Sequence, residues 1–231
     1  MLIAIDTADE YIGLAAYSER GLLAEVSWVV GQNHSVELLP GLKGLLEKLK
    51  TDLGAIQAVG VSLGPGSFNG IRVGVSTAKA LAYGLGAALV GVPTLEAHAW
   101  QFAAFGLPVC CIQPAGRDVI FAVFDFNREP VRLVPERVGR LEELPGLLPG
   151  PAVISGSLPA DRVEELRRHT REGWVVVFGA AGRRRPAVLA EVAWRRFISA
   201  QTDDPATLEP LYVRPPQVTP PRRTPFGPGG P

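Results

Sequence analysis

Three short apolar runs follow one another with no room for a helix between them, and this most constrains the fold. Leu2 to Asp6, Tyr11 to Tyr17 and Leu22 to Val30 are separated only by the polar turn Thr7–Glu10 and by Gly21. Runs of this length at this spacing predict an antiparallel meander. The first run ends in an acid, Asp6, which suits a buried strand stopping at a cleft. The period then changes. Leu38, Leu39, Leu42, Leu45, Leu46 and Leu49 recur at three- and four-residue steps behind a candidate cap at Ser35, predicting a helix. A strand over Ala58–Leu63, a helix over Ile71–Leu85, a strand over Ala88–Val92 and a helix over Thr94–Ala104, capped by Thr94, complete an order β-β-β-α-β-α-β-α.

The remainder repeats that order. Strands are expected near 108–113, 118–126 and 130–136, a helix near 141–148, a strand at 151–155, a helix at 160–170, a strand at 174–178 and a helix at 186–200. Two halves with one element order predict a duplicated α/β unit, split near Gly106 into 1–105 and 106–214. From Pro215 onward, 7 Pro and 3 Gly in 17 residues cannot bury a core, so 215–231 reads as a disordered tail.

With 231 residues, 47% of them hydrophobic, most of the chain is expected to fold around a sizeable core. No stretch reads as a membrane helix, because the longest uncharged one, 97–116, contains His98, Gln101, Gly106 and Pro108. The N-terminus lacks a basic region and reaches Asp6 too early for a signal peptide, so a soluble cytoplasmic protein is expected. Adjacent Cys110 and Cys111 lie in an apolar run and read as buried thiols rather than a disulfide. Residues 1–127 carry a net charge of −4 and residues 128–231 one of +4, with Arg183-Arg184-Arg185 and Arg195-Arg196 in the second half. Such runs suit a polyanion such as RNA, or equally a solvated surface, and only 4 of the 23 basic residues are lysine.

The loop Gly64-Pro65-Gly66-Ser67-Phe68-Asn69-Gly70, running on through Ile71, Arg72 and Val73 to Gly74, carries the densest chemical signal. Its glycines permit close backbone approach, Pro65 stiffens the turn, and Ser67 or Asn69 offers a helix cap. The exposed N–H groups of a helix start attract anions, so the loop reads as a phosphate cradle or, equally, as a packing device. It is neither a Walker A loop nor a dinucleotide fingerprint. Small residues at Gly74, Ser76, Ala78, Ala80, Ala82 and Gly84 keep the following helix low enough for another helix to approach closely.

IAIDT at 3–7, HSVELLP at 34–40, the GPGSFNGIRVG loop at 64–74, GVPTLEAHA at 91–99 and EPLYVRPP at 209–216 occur in the order and spacing of the TsaB (YeaZ) family, and the chain resembles that family over about residues 1–215. The resemblance implies the duplicated actin-like/sugar-kinase/Hsp70 (ASKHA) fold. It also implies a non-catalytic subunit that supports TsaD in transferring threonylcarbamoyl to tRNA adenosine, by a TsaD heterodimer joined by the ATPase TsaE and by tRNA. The same helices would self-associate in the chain alone. Their interface would draw on Leu38, Leu42, Leu45, Gly64, Pro65, Gly66, Ser67, Phe68, Gly70, Arg72, Gly74 and Ala78, with Arg72 an anchor or a surface ion-pair group.

The chemistry expected of active relatives is thinner here. Their two metal-binding histidines lie four apart on one helix face, whereas His34 is followed at that spacing by Leu38, so no metal is expected. Asp6 and Thr7 stand where kinases of this superfold bind Mg-nucleotide, which makes them the candidate nucleotide-binding pair and an ATP-dependent small-molecule kinase or ATPase the alternative reading. Against it, Gln113-Pro114-Ala115-Gly116-Arg117-Asp118 lacks the aspartate that opens the second phosphate hairpin, and ATP with Mg is expected only at the level of the complex. No serine has a nucleophile elbow and the cysteines lack an activating partner, so no catalytic residue is predicted.

Overall fold

The computed structural model describes residues 1–127 and 130–213; the tail expected over 215–231 lies outside the described residues. Strands β1 (Leu2–Asp6), β2 (Tyr11–Ser18) and β3 (Gly21–Val29) form the meander, and β4 (Ala58–Ser62) and β5 (Ala88–Val92) extend it in parallel, giving the order β3-β2-β1-β4-β5. β1 is central, with Ile5 opposite Leu14 of β2 and Val61 of β4. Every residue of β1 and β4 is buried, which is why both read as unbroken apolar runs rather than alternating ones.

The second half repeats the pattern. β6 (Val109–Ala115), β7 (Asp118–Asp125) and β8 (Val131–Gly139) form its meander, β9 (Ala152–Gly156) and β10 (Trp174–Val177) its parallel extension, and the order is β10-β9-β6-β7-β8. Both sheets therefore have one topology, the duplicated α/β arrangement expected from the sequence.

Because side chains alternate across a strand, each sheet needs two covers. On the first sheet, Ile3, Ile5, Val59 and Val61 pack under α1 (His34–Lys48) and α2 (Phe68–Leu85). Leu2, Ala4, Ala58 and Val90 face the other way, onto Leu189, Ala190 and Ala193 of α6 (Pro186–Ile198). On the second sheet, Ile112 and Phe121 pack under Leu141, the single-turn α4 (Leu144–Leu147) and Leu166 of α5 (Ala160–Arg167). Its opposite face carries Cys111, Ala122 and Phe124 under Leu95 and Ala99 of α3 (Thr94–Trp100). The last helix of each half thus covers the sheet of the other half. Cys110 and Cys111 are free and fully buried on opposite faces, and burial pushes the Cys110 thiol up to about 12.

Several boundaries differ from expectation for local reasons. α1 starts at His34, so Ser35 is inside the helix and exposed, and Asn33 before it makes no side-chain cap. Thr94 is likewise the first residue of α3 rather than its cap; its hydroxyl is buried and accepts from Gly64 N–H at 2.9 Å. The helix expected near 141–148 is a 3-10 turn, Leu141–Glu143, followed by α4, since Pro145 and Gly146 oppose a longer one. α2 begins three residues early, at Phe68, because Ser67 is the residue that caps it, accepting from Gly70 N–H at 3.2 Å.

Candidate functional site

The glycine loop is wrapped around the chain's own first turn. Ser67 N–H donates to the Ala8 carbonyl at 2.7 Å, and the buried Thr7 hydroxyl donates to the Gly70 carbonyl at 2.8 Å. A Cβ on Gly66 would overlap the Ala8 carbonyl, and one on Gly70 the Thr7 carbonyl. The loop therefore holds polypeptide where a phosphate cradle would hold phosphate, which resolves the two readings of this loop in favour of packing. Thr7 of the candidate nucleotide pair is fully buried in that contact.

Asp6 is occupied as well. Its carboxylate accepts from Ala8 N–H at 3.0 Å and from the Ser62 hydroxyl at 2.9 Å, and it pairs with Arg184, whose Nε lies 2.9 Å from Oδ2. Arg184 extends its fork to Asp9 Oδ2 at 3.0 Å. With its amide oriented to suit its neighbours, buried Gln113 donates to the Pro65 carbonyl at 2.7 Å and accepts from Arg184 Nη1 at 3.0 Å. The Arg184 side chain is only 7% exposed, so the pair is shielded from solvent. Burial pushes the Asp6 carboxyl up, but the Arg184 guanidinium, the Ala8 N–H and the Ser62 hydroxyl outweigh it and hold the group below the usual carboxylate range. Burial disfavours the Arg184 charge, and Asp6 and Asp9 override that and raise its pKa.

Mg-nucleotide does not fit this arrangement. A cation at Asp6 would have to displace a bidentate guanidinium already shared with Asp9, and the Thr7 hydroxyl is committed to the Gly70 carbonyl. Beside these residues a cleft of about 480 Å³ opens between Asp9–Tyr11 of the first half and Gly156–Pro159 of the second. The neighbouring arginines grip the first half too. Arg183 lies 3.4 Å over the Tyr11 ring centre, and Arg185 pairs with Glu25 of β3. Arg196 bonds Glu96 and the Gly91 carbonyl at 2.8 Å, and Arg195 pairs with Glu191 at 2.8 Å. The two basic runs are thus engaged with acids, rings and backbone of this chain, while Arg185 and Arg195 remain more than half exposed.

The helices of the first half present two faces, and the residues expected at an interface divide between them. Leu38, Leu42 and Leu45 of α1 belong to the core, as do Gly70, Gly74 and Ala78 of α2. A Cβ on Gly74 would overlap the Thr7 hydroxyl, so Gly70, Gly74 and Ala78 seat α2 on the end of β1, while Ser76, Ala80 and Gly84 of the same small-residue set are exposed. Gly64 and Pro65 are also buried, while Gly66, Phe68 and Arg72 are exposed and Ser67 is half-buried. Arg72 lies 5.1 Å over the Phe68 ring, which also meets Tyr212 at 5.3 Å. The outward face instead bears Val36 (69% exposed), Leu39 (54%) and Tyr83 (86%), with a groove of about 390 Å³ lined by Leu39, Leu42, Leu46, Leu53 and Leu81. The signal for Leu39 and Tyr83 was their position off the buried leucine and glycine stripe.

His34, whose lone position argued against a metal pair, is buried, with Nε2 2.7 Å from the Asp9 carbonyl oxygen. His98 is buried on α3 with Nε2 3.2 Å from the Ser155 hydroxyl; burial, then the charge of Arg184, lower its pKa to about 3. Among the described residues, no three His, Cys, Asp or Glu side chains are grouped to hold a metal ion, and no helix is long and apolar enough to cross a membrane.

The chain's similarity to known proteins agrees with this architecture. The family model described as TsaD, tRNA N6-adenosine threonylcarbamoyltransferase, matches residues 26–160. The tRNA threonylcarbamoyladenosine biosynthesis protein TsaB of Bacillus subtilis is 35% identical over 95 residues, which are 41% of this chain and 42% of that protein. The match thus spans about two fifths of the length of that curated relative. An uncharacterized protein of Mycobacterium tuberculosis is 27% identical over 92% of this chain and 91% of its own. The solved structure of YeaZ from Pseudomonas aeruginosa superposes with a TM-score of 0.75 at 21% identity, covering 91% of this chain and 99% of that one, which gives the chain the actin-like ASKHA fold. The matched model, which takes in more than half of the residues, and the named relatives together place this chain in the TsaD-type family, among its TsaB (YeaZ) members.

Proposed function

We propose that the chain is a cytoplasmic, non-catalytic partner subunit in the synthesis of N6-threonylcarbamoyladenosine in tRNA. It docks on TsaD through the outward face of α1 and α2, and the assembly, with TsaE and with ATP and Mg bound elsewhere in it, modifies tRNA. The reading rests on the exposed apolar face. Val36, Leu39 and Tyr83 are exposed on two adjacent helices, and Leu39 also lines an apolar groove, the kind of apolar surface that marks an interaction site. The names of the relatives supply the pathway, and Arg72 over Phe68 at the α2 start supplies an arginine–aromatic anchor of the kind enriched in interface hot spots. In the chain alone, the same face would pair with a second copy. The kinase or ATPase alternative needs Asp6 free to hold a cation, and Arg184 holds it instead.

Light scattering after size exclusion, on this chain alone and mixed with TsaD from the same source, tests the reading. A one-to-one complex is expected. Leu39→Arg with Tyr83→Arg should weaken it by at least roughly tenfold while leaving the melting temperature unchanged, since both side chains are exposed. No complex at micromolar concentration, or a double variant that binds as well as the parent, would overturn it.

A further inference from the structure

Three consecutive arginines, centred 178 residues along the chain from Asp6 at the end of β1, meet side chains of the first half. Arg184 is the innermost. It reaches Asp6 at the end of β1, Asp9 in the following turn and Gln113 on β6, so one guanidinium touches both halves of the molecule. The Asp6 contact is a fork and those to Asp9 and Gln113 are single bonds, all in a water-poor site where charge-assisted pairs are strongest and where loss of one partner leaves an uncompensated charge. Arg183 over Tyr11 and Arg185 on Glu25 flank it, so the segment leading into α6 is fastened at three successive residues to β1, β2 and β3 or the turn between them.

We infer that Arg184 is a built-in counter-cation: its guanidinium fills the space between Asp6 and Asp9 that a divalent metal ion would otherwise take, and in filling it clasps the two halves at a fixed spacing. A guanidinium and a divalent ion satisfy the same two carboxylates, so the site accepts one or the other. With Arg184 in place, both carboxylates are already engaged by the guanidinium, and the cleft beside them lacks the free acid pair needed to bind a metal-bound polyphosphate. Removing the guanidinium while keeping an apolar stem of similar length leaves Asp6 and Asp9 facing each other with Ser62 beside them, a hard oxygen set suited to Mn²⁺ or Mg²⁺. The inference does not depend on the partner-subunit reading.

The test uses the whole chain with Mn²⁺ as the probe, read by electron paramagnetic resonance, alongside thermal melting. The parent is expected to bind no Mn²⁺ that Asp6→Asn removes. Arg184→Met is expected to melt roughly 10 °C lower, as for a buried pair broken on one side in a chain of this size, and to gain one Mn²⁺ per chain that is lost again in Arg184→Met with Asp6→Asn. That double variant should melt no lower than Arg184→Met alone, because the uncompensated carboxylate is gone. Arg184→Lys, which keeps the charge without the fork, should stay folded and free of Mn²⁺. An Asp6-dependent Mn²⁺ site in the parent, a folded Arg184→Met that gains none, or melting losses that simply add in the double variant would each overturn the inference. TsaD binding bears on none of these outcomes.

Discussion

The two halves build the same sheet in the same strand order and clothe its outer face differently. The first half lays down α1 and α2, 15 and 18 residues long; the second offers a 3-10 turn, a four-residue α4 and an eight-residue α5. α2 contributes six buried residues to the core, while α5 contributes Leu166. A short helix suffices to seal a sheet face. The extra turns of α1 and α2 therefore do more than seal, and they carry Val36, Leu39 and Tyr83 into solvent. The scaffold is built twice, and the exposed apolar face on α1 and α2 once.

The largest expected effect comes from the seat of α2, which has no counterpart under α5. Gly74→Arg forces a long charged side chain into the Thr7 contact and should destabilise the monomer by on the order of 4 kcal/mol, read as loss of soluble protein or a collapsed denaturant midpoint. Gly84→Arg, ten residues on in the same helix with open space around its Cα, should leave stability unchanged or slightly raised. Equal effects at the two positions would mean that α2 is held as loosely as α5.

Next comes the seam where the halves trade helices. His98 sits on α3 under the second sheet, and its folded pKa of about 3 lies below the unfolded value. The unfolded chain therefore takes up the proton first as pH falls below about 6.5, and stability is lost progressively down to the folded pKa. Between pH 7 and 5 the loss should be about 2 kcal/mol, and His98→Gln should flatten that slope in urea titrations. Asp6 adds nothing in this window, because its lowered pKa moves its contribution to more acid pH. The smallest effect is at the helix starts. Ser67 caps α2 with its side chain, whereas Pro159 before α5 has none to offer. Ser67→Ala should cost about 1 kcal/mol by calorimetry and make the two starts alike; no change would show that the loop's packing on Ala8 already fixes the helix.

What the sequence discloses depends on how far apart the interacting residues lie. Nearly every strand was legible, because a buried strand announces itself by a local run such as Ala58–Ser62 or Ala152–Gly156. Caps were less so: Ser35 and Thr94 are cap-type residues beside helix starts, and nothing local says that the helix begins one residue earlier or that Thr94 bonds Gly64 instead. The small residues of α2 fitted outward docking and inward seating equally well, until Thr7, 67 positions back from Gly74, showed Gly74 to face inward, while Ser76, Ala80 and Gly84 face out. Arg184 was the least legible. In a run of three arginines it looks like solvated charge, and its carboxylate partners stand at the other end of the chain.

The exchange of closing helices has a consequence for synthesis. β1 and β4 are made early, yet the face formed by Leu2, Ala4, Ala58 and Val90 receives its cover only when residues 189–193 have left the ribosome. Until then the nascent first half carries a bare apolar sheet face, so neither half can finish folding as an independent unit, and a chain interrupted at the midpoint yields two fragments that each lack a wall. What is translated as a tandem repeat matures only as a whole.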